Sequence, residues 1–316
     1  NIGGIGINMS CYNYANRIVN CEIGNIGYHG IDMSNLDTSD LTTTMYGKFN
    51  EVKNCEIYSV GRVIGDGAGI NIVTGYNTVQ NCLIRDGHRM GISVGSPRPG
   101  TIIGKVVDGI TLDRSNVRLA THSQNNAFMF CDIYDVMNDS QDGGAIYSWG
   151  GDEGNVVAYN HIHDTMTPFS EGFGIYLDDA ADVFTVKNNI VDNMWREGFG
   201  GKTMASIFAK GIKHTIDNNF VVESPKNMYA CMTESMVGEP CYEQSWYRNI
   251  VSNSGPYTYF NKAFTNSRFK AADYNFYYNP TGEYKIAMNG FSGKAASDVY
   301  AWQRWFADGK YDQFAK

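Results

Sequence analysis

The sequence predicts an all-β fold, a parallel β-solenoid, and three observations predict it. Short apolar runs recur with a period of about thirty residues. Gly and Asn punctuate the runs while Pro is scarce, with 35 Gly and 7 Pro in 316 residues. No stretch between the early runs has the length and 3.6-residue periodicity of the helices that a doubly wound α/β chain needs.

Taken in chain order, the first kind of run reads NCEI (Asn20 to Ile23), NCEI (Asn54 to Ile57), NCLI (Asn81 to Ile84), CDI (Cys131 to Ile133), NHI (Asn160 to Ile162), NNI (Asn188 to Ile190) and NNF (Asn218 to Phe220). Aligned, they place Cys21, Cys55, Cys82, Cys131, Asn160, Asn188 and Asn218 in one column. Residues of one column stack about 4.8 Å apart in a solenoid, so the cysteines are expected as buried thiols and the asparagines as a turn ladder. Their spacings match no zinc pattern. A second run follows in each repeat: GIDM at Gly30, GINIV at Gly69, GISV at Gly91, GAIYSW at Gly144 and GIYLD at Gly174. Strand alternation then puts Ile175 and Leu177 on one face, Tyr176 and Asp178 on the other.

From Pro97 to Gln124 the period loosens around PRPG, Arg114 and Arg118, as an inserted loop or a degenerate extra turn. Beyond Pro225 the pattern fades, with RNIV at Arg248 reading as one more turn. Cys231 and Cys241 could pair in an exported protein, although seven cysteines leave at least one unpaired within a monomer. Ser297 as N-cap, then Val299, Trp302 and Phe306 before Gly309, predict a short C-terminal amphipathic helix. The expected organisation is a solenoid over residues 1–290, lacking its N-terminal cap, and a capping helix and tail over 291–316.

A net charge of −8 and a pI near 5.2 argue against a nucleic-acid partner, which requires clustered Lys and Arg. No apolar run approaches the roughly 18 residues of a membrane span. The chain opens in mid-pattern, NIGGIGINMS, without a basic-then-apolar run, as expected of a mature or trimmed chain.

The segment from Asp142 to Asp179 says nearly the same thing twice. Asp142 aligns with Glu171, Tyr147 with Tyr176, and Trp149 with Asp178. Carboxylates stacked along one groove repel, raising at least one pKa and leaving an acid beside a base, which is the division of labour of glycoside hydrolysis. Asp142, Asp178, Glu171 and Asp179 are the candidate catalytic residues, with Asp178 pointing outward and Asp179 opening the turn. Tyr147, Trp149 and Tyr176 would offer flat surfaces to sugar rings. His161 and His163 share a face and would bind a substrate hydroxyl; a zinc site would need a third ligand, so no metal site is assigned. Oxygen ligands for calcium are dense in Asp142, Asp152, Glu153, Asp178 and Asp182, although no cofactor is expected to be required. Lys202, Lys210 and His214 could neutralise an anionic sugar.

DGGAIYSWG and GIYLDD, followed by VKNNIVDN and EGFGG, resemble the right-handed parallel β-helix glycoside hydrolases, in particular the family that includes α-L-fucosidase and xylanase members. DYNFYYNP at Asp273 is similar to that group's C-terminal end. The resemblance implies a right-handed single-stranded parallel β-helix and a two-aspartate mechanism carried by Asp142 and Asp178. A related β-xylosidase family places an acid/base glutamate where this chain has Gly201 and Lys202, so that role is not carried over. The expected partner is a polysaccharide or oligosaccharide, and the expected location secreted or periplasmic. The alternatives are a polysaccharide lyase, using Arg196, Lys202 and Lys210, and a non-catalytic tailspike-like binding solenoid.

Overall fold

A computed structural model describes the chain except residues 1, 10–11, 35–40, 46, 166, 170–171, 195–202, 223–228, 234–239, 253–256, 262–268, 281–284, 289–313 and 315–316. Each turn of the coil gives one short strand to each of three sheets, in the order A, B, C. Among the described residues, sheet A has ten strands, from Ile7–Asn8 to Lys285–Met288, and sheets B and C have nine each, from Arg17–Val19 to Phe269–Asp273 and from Glu22–Gly24 to Phe276–Tyr278. Neighbouring strands within each sheet run parallel, and the chain is a parallel β-helix.

The core is a set of stacked columns. Sheet B turns its central residues inward, among them Val52, Val79, Phe128, Val157, Val186 and Ile216. Sheet C does the same with Ile57, Ile84, Ile133, Ile162, Val191 and Val221. Branched side chains suit these positions because a strand already restricts their rotamers.

Sheets B and C are joined by a two-residue corner that explains the cysteine and asparagine column. Its first residue has positive φ on every described turn, at Asn20 (56°), Asn54 (52°), Asn81 (53°), Asn188 (56°) and Asn218 (53°), and also at Phe130, Tyr159, Arg248 and Tyr274. Asn tolerates this left-handed conformation better than other non-glycine residues. The second residue points inward. It is Cys21, Cys55, Cys82 and Cys131 on the early turns and Asn160, Asn189, Asn219, Asn249 and Asn275 on the later ones. The thiols are free and donate to carbonyls; Cys55 Sγ lies 3.3 Å from Lys53 O. Each later Asn accepts, through Oδ1, the backbone N–H of the turn before: Cys131 N to Asn160 at 3.0 Å, Asn160 N to Asn189 at 3.0 Å, Asn189 N to Asn219 at 3.1 Å.

This ladder corrects the sequence alignment. Asn188 and Asn218 are the first corner residues, so the column runs through Asn189 and Asn219, one place on. The alignment slipped because Ile190 and Phe220 look like core residues, whereas both are exposed and Val191 and Val221 occupy the core. Turns also continue past Pro225, with strands Tyr229–Thr233, Gln244–Tyr247 and Ile250–Ser252. RNIV is one of them, its Asn249 on the ladder. Cys231 and Cys241 are both buried and do not bridge each other. The expected helix over 297–309 lies outside the described residues.

A second ladder, absent from the sequence reading, runs along the corner between sheets A and B. Asn50, Asn77, Asn126 and Asn155 each accept the backbone N–H of the residue one turn earlier. The segment after Gly95 is an insertion at this corner. It carries a short helix, Pro99–Ile102, an antiparallel pair, Val106–Val107 with Ile110–Thr111, and its own small core of Ile102, Val107, Leu112, Val117 and Ala120.

The register separates two adjacent asparagines. Asn189→Ala strips acceptors from the buried Asn160 N–H and side-chain amide and should cost about 1–3 kcal/mol. Asn188→Ala loses the residue favoured at positive φ and an exposed hydrogen bond from Asn218 Nδ2, about 1 kcal/mol in all. Urea unfolding of both variants checks that order.

Candidate active site

The outer face of sheet A carries the cleft. Tyr147, Tyr176 and Phe208 occupy one column on successive turns. Two residues further along each strand, the next outward column holds Trp149, Asp178 and Lys210. The inward residues between them, Ile175 and Leu177, belong to the core, as strand alternation predicts. An open cleft of about 580 Å³ lies over these columns, lined also by Asp66, Arg89, Met90, Arg98, Asp142 and Asp179.

Asp178 is the best-connected residue of the cleft. The Tyr147 hydroxyl donates to its Oδ2 at 2.9 Å, and the Tyr176 hydroxyl to its Oδ1 at 2.8 Å. Lys210 Nζ donates to the same Oδ1 at 2.7 Å. Asp178 is only 6% exposed, and three donors, one cationic, supply what burial of a carboxylate demands. Burial, and then the charge of Asp178, push both tyrosine hydroxyls well above the usual phenol range, so they remain donors.

Asp142 enters from the start of strand Gly144–Trp149. It is exposed, has a φ of 54°, and its Oδ1 lies 3.5 Å from the Tyr176 hydroxyl. A phenol has one proton, and the shorter contact, to Asp178, holds it. Both carboxylates therefore reach one hydroxyl, and legs of 3.5 and 2.8 Å put their nearest oxygens at most about 6.3 Å apart. Arg89 donates to the Asp142 carbonyl and pairs with Asp66.

Asp179 is buried in the turn, as expected of the residue that opens it. Its Oδ1 is 3.6 Å from Lys210 Nζ, too long for a hydrogen bond, and has no hydrogen-bond partner among the described residues. Burial raises its carboxyl above the usual range despite the lysine.

The aromatic candidates divide. Trp149 is exposed at the rim, with the Arg98 guanidinium of the insertion 5.2 Å from its ring centre. Tyr147 is half-buried. Tyr176 offers its hydroxyl rather than a ring face: it is 2% exposed and stacked on Phe208, 4.9 Å between centres at 7°. Glu171 and Lys202 lie outside the described residues, as does Arg196. His161 and His163 belong to sheet C and do not line the cleft. The oxygen ligands considered for calcium do not converge. Asp142 and Asp178 line the cleft, whereas Asp152 and Asp182 line a separate pocket, where Asp152 is held by Thr121 and Arg118 and Glu153 pairs with Arg118.

His214 is structural. It is wholly buried on the column of the second asparagine ladder, with Nδ1 accepting the Phe184 N–H at 3.1 Å and Nε2 facing the Lys210 carbonyl. Asp66, Arg89 and Arg98 are cleft residues that the sequence reading missed. Asp66 alone carried a signal, because Asp66-Gly67 stands four residues before Ile70 just as Asp142-Gly143 does before Ile146.

No family model matches this chain, and no curated protein does. Among solved structures it is similar to a mutant tailspike protein of E. coli bacteriophage HK620 in complex with a pentasaccharide, at 12% identity and a TM-score of 0.46, covering 83% of this chain and 42% of that one. It is also similar to the Dettilon tailspike protein, at 11% identity and a TM-score of 0.38, covering 90% of this chain and 58% of that one. The chain thus spans less than two thirds of the length of either.

Burial lowers the His214 pKa from 6.5 to about 4. The unfolded chain takes up this proton first as pH falls, so the associated stability is complete above pH 6.5 and is lost toward pH 4, on the order of 3 kcal/mol. His214→Gln, which copies Gln244 on the next turn, should flatten that part of the profile. Urea midpoints at pH 7 and pH 4.5 measure it.

Proposed function

We propose that this chain is a glycoside hydrolase acting on a polysaccharide or oligosaccharide in the cleft of sheet A. The observation that carries the proposal is that Asp142 and Asp178 both reach the Tyr176 hydroxyl, at 3.5 and 2.8 Å, so that their nearest oxygens are at most about 6.3 Å apart, under an open cleft. Two carboxylates at such a spacing can act on one glycosidic bond.

Their surroundings suggest separate roles. Asp178, fixed by two phenols and a lysine, suits the carboxylate that faces the developing positive charge at the anomeric carbon, as base or nucleophile. Asp142, exposed at the mouth and without a cationic side chain on its carboxylate among the described residues, suits the group that exchanges a proton with the leaving oxygen. Trp149 supplies a ring face at the rim for sugar stacking. This reading agrees with the sequence resemblance to β-helix glycoside hydrolases and, with a polymeric glycan as substrate, with a protein that works outside the cytoplasm.

The lyase reading fits less well. β-Elimination needs a base beside the sugar C5, and the tyrosines here hold their protons too tightly while Lys210 is engaged by Asp178. The cations Arg89, Arg98 and Lys210 would still suit an anionic glycan.

Incubation with a panel of plant, algal and bacterial glycans, with product analysis by NMR, tests the proposal. Wild type should release new reducing ends, and Asp178→Asn and Asp142→Asn should each lower kcat by about 10²- to 10⁴-fold. Trp149→Ala should weaken substrate binding about tenfold with a smaller effect on kcat. An unsaturated product absorbing in the ultraviolet overturns hydrolysis in favour of elimination. Glycan binding without cleavage, unchanged in both aspartate variants, reduces the chain to a binding module.

A further inference from the structure

Sheet C carries a second cluster of functional side chains, away from the cleft. Asp132 and His161 are cross-strand partners on adjacent turns, and His163 lies two residues along the same strand on the same outward face. Tyr134 is the partner of His163 one turn earlier, and Asp192 the partner one turn later. The Asp132 Oδ1 sits between the two imidazoles, 3.1 Å from His163 Nε2 and 3.5 Å from His161 Nδ1. One ligand atom from each of the three residues lies within 4.8 Å of the others.

We infer that Asp132, His161 and His163 form a binding site for one divalent transition-metal ion of the zinc class. Geometry is the first argument. Metal–ligand bonds of about 2.0–2.1 Å in a tetrahedral site place ligand atoms about 3.3 Å apart, close to both distances measured to Asp132. The outer contacts are the second. The nitrogen of each histidine that does not face Asp132 meets a further carboxylate: His161 Nε2 lies 2.9 Å from Asp192 Oδ1, and His163 Nδ1 lies 2.6 Å from Asp164 Oδ2. A carboxylate on the far N–H fixes the tautomer and aims the free lone pair inward, the arrangement that orients metal-bound histidines. Asn193 in turn holds Asp164.

Charge and packing agree with this. Asp132, Asp164 and Asp192 surround two imidazoles, and a dication at the centre offsets that excess of negative charge. The rings are held in place, His161 stacked on His163 at 4.2 Å between centres and Tyr134 on His163 at 4.9 Å. Two nitrogens and one oxygen favour zinc, cobalt(II), nickel or copper over calcium or magnesium. All three ligands are partly exposed, which leaves room for water in the fourth position. Because Asp132 sits one turn below the histidines, a bound ion would also clamp two turns together.

The full chain, stripped with a chelator and dialysed, is titrated with zinc chloride by calorimetry, and separately with cobalt(II), whose tetrahedral complexes absorb in the visible. One equivalent should bind with a Kd in the micromolar range or tighter, and the thermal midpoint should rise with zinc concentration. His163→Ala and Asp132→Ala should each lose at least 100-fold in affinity. Asp192→Asn, which keeps all three ligands, should lose about 10- to 100-fold. Circular dichroism of each stripped variant confirms its fold. Stoichiometric binding that survives in a His161→Ala, His163→Ala double variant, or no binding by wild type, overturns the inference.

Discussion

The structure depends on one repeated local event, the two-residue corner between sheets B and C. There the chain enters the left-handed region for a single residue and then turns a side chain inward to meet the turn below. A parallel sheet cannot be closed by hairpins, so its register must come from somewhere other than tight turns between neighbouring strands. In this chain it comes from the corner. Each inward Asn accepts a backbone N–H that would otherwise be buried without a partner, and a slip of one residue would break that bond on both adjoining turns. The early turns reach the same end differently. Their cysteines fill the space as small apolar groups and bond weakly to carbonyls, so packing takes a larger share there and hydrogen bonding a smaller one.

The same register builds the cleft. Tyr147 and Tyr176 are neighbours because Ile146 and Ile175 are neighbours in the core beneath them, and Asp178 stands over its turn because Leu177 is anchored inside. The carboxylate, the phenols and the ammonium group belong to three turns but form one hydrogen-bonded unit. Such a unit holds its geometry before any ligand arrives, which is what electrostatic stabilisation of a developing charge requires.

Much of the fold was legible because the solenoid repeats its instructions: period, corner residues and inward columns all recur. The slip at Asn188 shows where that legibility fails, since Ile190 and Val191 are equally apolar and only the corner geometry decides which faces in. In the cleft, Asp178 could be picked out as a carboxylate closing an apolar strand. Arg89 and Arg98 could not, for neither interrupts a pattern, and the second arrives on an insertion without periodicity. Nor did Tyr176 reveal its burial, because Phe208, which covers it, comes from the following turn. On sheet C the two histidines were visible as a pair, whereas Asp132 looked like any surface residue of its strand until the stacking of turns brought it between them.

The stacking of Trp149, Asp178 and Lys210 on three successive turns has a consequence for what the molecule can measure. The column advances by about 4.8 Å per turn, set by the backbone hydrogen bonds of sheet A and independent of side-chain chemistry. A glycan lying along the coil would therefore meet a ring face, then a carboxylate, then a cation at fixed intervals, and the coil would serve as a ruler against which one repeat unit of the polymer is compared with the next. Selectivity along such a ruler would be altered by exchanging a whole turn, with its corner residues, rather than by reshaping a loop.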